Sequence, residues 1–186
     1  FGELLWWYLG NARDYAAQML PCMCAGMAVY ALALPVRRRR LDRLGLVSPR
    51  RRELALLLFV MFAAGLAALT LFPAGFWRRA HWLAALRGER PLFPRWADLH
   101  RILQLAPLRE IRRAVRGPWV MFLVVANVVI FLPVGFFPAL LGRRPRWWKA
   151  LATGLIASGT IETIQYFIGR SADVDDVLLN TAGVLG

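Results

Sequence analysis

The chain is predicted to be an all-α, polytopic membrane protein with four complete transmembrane helices and the start of a fifth. Three observations lead there. Hydrophobic residues make up 59% of the 186 positions, with a mean hydropathy of +0.48, whereas soluble domains carry about 45–50% apolar residues. Four apolar stretches are long enough to cross the ~30 Å hydrocarbon core at 1.5 Å per residue. All eight tryptophans (Trp6, Trp7, Trp77, Trp82, Trp96, Trp119, Trp147, Trp148) lie at or outside the ends of those stretches, where indole rings sit at headgroup level.

In chain order, residues 1–14 are an N-terminal flank, and Tyr15–Val36 is the first span. Cys22 and Cys24, two residues apart and so ~200° apart on a helix, face different sides and are expected as small buried hydrophobes, neither zinc ligands nor a disulfide. Leu54–Phe72 is the second span, Trp119–Leu141 the third and Ala150–Ile168 the fourth. The first three carry no charge; the fourth carries Glu162. A further apolar run begins at Val177 and stops at Gly186, and the chain begins at Phe1, so the sequence is read as a fragment or a trimmed chain.

The formal charge of +13 is carried by arginines between the apolar runs, where they serve topology and anionic headgroups; nucleic acid is not the expected partner, membrane lipids are. Alternate connections carry equal positive charge, so density decides the orientation. Segment 37–52 holds eight arginines and 142–149 holds Arg143, Arg144, Arg146 and Lys149, while 73–118 spreads ten arginines over a longer stretch. Short, dense basic loops mark the cytoplasmic side. Segment 73–118 and the turn 169–172 are therefore expected outside. Within 73–118, Leu108, Ile111 and Val115 recur at helical spacing among Arg109, Arg112, Arg113 and Arg116, after Pro107. This predicts a basic amphipathic helix in the headgroup region, with a solvated charged loop as the alternative.

The candidate functional residues lie between Asn127 and the C-terminus. An ionisable residue at membrane depth costs at least ~2.5–3.5 kcal/mol on insertion scales and is rarely present without a partner or a task. On a helix from Ala150, residues Gly154, Ser158, Glu162, Gln165 and Gly169 share one face. That face is either a close-packing seam or part of a site, and a carboxylate gives a mere seam no evident benefit. Asp173 is placed to cap the next helix, with Asp176 at its third position. Asp176, Asn180 and Gly183 then follow on one face, at the depth of Glu162 and Gln165 across a short turn. Pro133 is expected to kink or open the third span beyond Asn127. His81 and His100 show no metal-binding spacing, and GxSxG, Walker, GxGxxG and SxxK motifs are absent. No cofactor and no metal are expected.

Taken in order, Asn127, Pro133-Val134-Gly135, Glu162-Thr163-Ile164-Gln165, and Asp173-Val174-Asp175-Asp176 leading to Asn180 and Gly183 resemble the VanZ-like family of bacterial membrane proteins. Gln104-Leu105-Ala106-Pro107-Leu108 looks like a degraded form of the family's Asn-Leu-Ile-Pro-Phe segment. The resemblance implies one VanZ-like membrane domain over 1–186, with a motif-bearing core at 119–186, in the bacterial cytoplasmic membrane. It also implies an association with resistance to teicoplanin, a glycopeptide antibiotic. The expectation is an extracytoplasmic polar pocket of Asn127, Glu162, Gln165, Asp173, Asp176 and Asn180. It would bind an amphiphilic envelope ligand, such as a lipid-linked wall precursor or a glycopeptide. The alternatives are a membrane-embedded enzyme using Glu162, Asp173 and Asp176 on a lipid or envelope glycan, and a structural helix bundle that docks a partner. Nothing in the chain fixes an oligomeric state.

Overall fold

A computed structural model of the chain describes residues 2–72, 76–93, 103–114, 117–142, 146–168 and 170–186. It is helical almost throughout: α1 (Gly2–Arg43), α2 (Arg50–Leu71), α3 (Arg79–Leu86), α4 (Arg109–Ala114), α5 (Pro118–Leu141), α6 (Trp147–Phe167) and α7 (Val174–Leu185). The departure from all-α is a parallel bridge of two residues per strand, β1 (Leu103–Gln104) with β2 (Ala172–Asp173).

Among the described residues three helices are long and apolar enough to cross a membrane: α1, α2 and α5. Most of their apolar surface faces outward, with Leu32, Leu58, Val129 and Phe136 among the exposed side chains, as lipid contact requires. Four complete spans are not confirmed: the expected fourth falls in α6. Helix α6 has 21 residues, enough for ~31 Å, but Thr153, Ser158, Thr160, Glu162, Thr163 and Gln165 dilute its hydropathy.

Residues 2–14 of the expected flank are continuous with the first span, in one helix of 42 residues that contains Pro21 and Pro35. Likewise Pro133 and Pro138 lie inside an unbroken α5, so Pro133 does not open it. The amphipathic helix of the outer segment is six residues long and starts at Arg109. Leu108 adopts φ 63°, a left-handed conformation outside any helix, which is why Pro107 does not begin it. Val115, Arg116, His100 and Gly169 lie outside the described residues. Helix α3 was not foreseen.

Helix α1 packs along α2, α2 leans on α5, and α7 inserts between α5 and α6. The core is Leu66, Phe131, Val134 and Val184. Two glycines set the α5–α7 distance. A Cβ on Gly135 would stand 2.0 Å from the Val184 carbonyl oxygen, and one on Gly183 would stand 2.1 Å from that of Val128. Only hydrogen fits at either place, which is how small residues bring membrane helices close.

Candidate polar pocket

The expected polar face of α6 is the one it buries: Gly154, Ser158, Glu162 and Gln165. It meets α7, where Asn180 donates from Nδ2 to the Ser158 hydroxyl at 2.9 Å. Asp173 is the N-cap of α7 and accepts from the Asp175 N–H at 2.9 Å, so the capping role is realised. The Asp173 N–H in turn donates to Glu162 Oε2 at 2.8 Å. A capping box supplies that acceptor from the third helical position; here it comes from the preceding helix.

Helix α5 joins through Asn127, whose Nδ2 donates to Asp176 Oδ1 at 2.5 Å. Helix α2 joins through its C-terminal carbonyls, which lack intrahelical donors. Gln165 Nε2 donates to the Thr70 carbonyl at 2.7 Å. Arg170 Nη1 reaches the carbonyls of Leu69, Thr70 and Phe72 at 3.0, 2.7 and 2.7 Å, a position where the helix dipole also favours a cation. Burial lowers the pKa of Arg170, an effect that neighbouring Glu162 and Tyr15 oppose only in part; a guanidinium keeps its charge in such a setting.

Together these groups surround a cavity of about 300 Å³ lined by all six expected residues, Asn127, Glu162, Gln165, Asp173, Asp176 and Asn180, with Arg170, Ser171 and Tyr15. Among the described residues two lining acceptors are buried without a donor: Gln165 Oε1 and Asn180 Oδ1, on residues only 8% and 4% exposed. The Gln165 assignment is forced chemically. Its bond to Thr70 ends on a carbonyl, which only accepts, so the nitrogen must point there and the oxygen is left over.

Three elements of the site were not anticipated. Asp175 is fully buried, at 0% exposure, and its Oδ1 accepts the Leu108 N–H. The segment Leu103–Leu108 therefore folds onto the hairpin, with Gln104 in register with Asp173. Arg170 is the third; its being the sole basic residue after Lys149 was the available signal. Among the described residues no group of three His, Cys, Asp or Glu is placed to hold a metal ion.

Several apolar helices of membrane-spanning length, with a buried polar pocket between them, define the class: a multi-pass helical membrane protein. A family model described as VanZ/LLP1 matches residues 59–186, from within α2 through every pocket residue but Tyr15. The chain belongs to that family. No curated protein and no solved structure matches it.

Proposed function

We propose that this protein binds a hydrogen-bond-donating group of an amphiphilic cell-envelope molecule in the pocket between α2, α5, α6 and α7, and that occupancy lowers susceptibility to teicoplanin-type glycopeptides. The observation that carries this is the pair of orphaned buried acceptors, Gln165 Oε1 and Asn180 Oδ1, beside the carboxylates of Glu162, Asp173 and Asp176. A buried acceptor left unpaired costs about 1–3 kcal/mol, so a ligand that brings N–H or O–H groups recovers that cost. About 300 Å³ is at the lower end of ligand pockets; it suits one amine, amide or sugar unit of a larger amphiphile, the rest lying in the bilayer. Family membership and the extracytoplasmic orientation expected from the arginine-dense connections support the envelope as the source of the ligand.

The test is teicoplanin susceptibility of bacterial cells producing the chain or Glu162→Gln. Glutamine still offers an oxygen to the Asp173 N–H, so the hairpin stays capped and only the charge is removed. Protection by the unaltered chain and weakened protection by Glu162→Gln, at equal protein level, is the expected result. No shift on producing the unaltered chain sinks the proposal. Complete loss with ligand still bound points to catalysis by Glu162, and full retention to a packing seam.

A further inference from the structure

We propose a second site, at the opposite end of the helices from the polar pocket: a seat for one anionic phospholipid between the α1–α2 turn and the end of α5, its phosphate bridged by Arg51 and Arg52. A cavity of about 500 Å³ is lined there by Arg51 and Arg52 over a floor of Leu41, Ala55, Leu140 and Leu141. All three helices that form it are long and apolar enough to span a membrane. The cavity thus lies where such spans meet the headgroups, with arginine at its mouth and aliphatic carbon running toward the hydrocarbon.

Charge balance selects the occupant. Arg37 also lines the cavity, but it is bound to Glu53 at 3.0 Å, and Tyr30 donates to the same carboxylate; that group is neutral as a set. Arg51 and Arg52 have no ion-pair partner among the described residues, which leaves two guanidinium forks for one phosphate. The turn itself is apolar at its tip. Val47 is 94% exposed, and Leu44 and Leu46 stand out beside it, in the middle of an arginine-rich segment. An apolar tip flanked by cations is the pattern of a segment resting in the interface of an anionic membrane. A soluble phosphate would use the arginines and leave the aliphatic floor and the tip in water; a phospholipid uses all three.

The measurement is native mass spectrometry of the purified full chain released from mixed phosphatidylglycerol and phosphatidylcholine micelles. The unaltered chain is expected to retain one phosphatidylglycerol in preference to phosphatidylcholine. Arg51→Gln with Arg52→Gln should cut that retention roughly twenty- to thirty-fold, the effect of removing two membrane-facing charges. Arg39→Gln with Arg40→Gln, an equal charge change at exposed positions outside the cavity, should leave it close to unaltered. Leu140→Trp, which fills the floor without touching charge, should lower retention too, and gives a second route if the arginine pair does not fold. Equal loss from both arginine pairs means a diffuse field rather than a site and overturns the proposal. So does absence of a phosphatidylglycerol preference, or displacement of the lipid by millimolar inorganic phosphate.

Discussion

Replacing Gly183 with alanine tests whether the α5–α7 contact holds the polar pocket together. The new Cβ would lie 2.1 Å from the Val128 carbonyl oxygen and 3.0 Å from Phe131 Cβ. The first neighbour is backbone and cannot rotate away, so the two helices must part by about 1 Å to restore ordinary contact. Overpacking typically costs 1–3 kcal/mol, and a clash of backbone with backbone belongs at the upper end, about 3 kcal/mol. For a chain of this length that corresponds to a melting temperature lower by roughly 6–12 °C. The assay is thermal unfolding in detergent against Gly159→Ala, where a Cβ meets nothing within 4 Å and where alanine's better helix propensity makes the change neutral or slightly stabilising. Because Asn127 and Asp176 sit on the same two helices, Gly183→Ala should also weaken teicoplanin protection. Equal stability of the two variants would show that α5 and α7 do not approach as closely as described.

Arg170→Gln removes a charged donor shared by three carbonyls of the α2 terminus; hydrogen bonds to charged groups contribute about 1.5–3 kcal/mol. A melting temperature lower by several degrees is expected, partly restored by Arg170→Lys, and an unchanged value would refute the cap. Asn127→Asp places a second carboxylate against Asp176 and should destabilise the fold, whereas Asn127→Asp combined with Asp176→Asn should recover most of the loss; unfolding of the single and double variants checks this. Topology is read by membrane-impermeant thiol labelling of Ser171→Cys in a Cys22→Ala, Cys24→Ala background. Ser171 is exposed, and labelling in intact cells is expected. Protection that disappears when the membrane is opened would put the pocket in the cytosol and end the glycopeptide proposal.

The parts of the fold legible in the sequence were those written in periodicity. The buried face of α6, the cap at Asp173 and the meeting of Glu162 and Gln165 with Asn180 follow from helical spacing and a short turn. What escaped depended on long-range geometry. Asp175 is adjacent in sequence to Asp176, yet it is more deeply buried, because it accepts from a backbone N–H 67 positions earlier. Gln104 lay in a segment without helical or alternating pattern, and its pairing with β2 extends over two residues only. No local signal records so short a bridge. The role of Arg170 escaped because helix C-terminal carbonyls on a distant segment leave no trace beside it in the chain.

The carboxylate at position 162 is the least explicable part of the site on structural grounds alone. Its visible bond, acceptance of the Asp173 N–H, needs an oxygen and not a charge, and glutamine at 162 would supply one. The charge has a cost besides. The cavity brings the Glu162 carboxylate beside those of Asp173 and Asp176, with the Arg170 guanidinium in the same lining. In a site of reduced dielectric a carboxylate beside others stays ionised only at a cost, which a proton or a cation relieves. A cationic N–H group on the proposed ligand would relieve that cost and meet the buried acceptors Gln165 Oε1 and Asn180 Oδ1. Glu162→Gln therefore removes the part of the pocket the fold does not need, and its effect on protection should exceed its effect on stability.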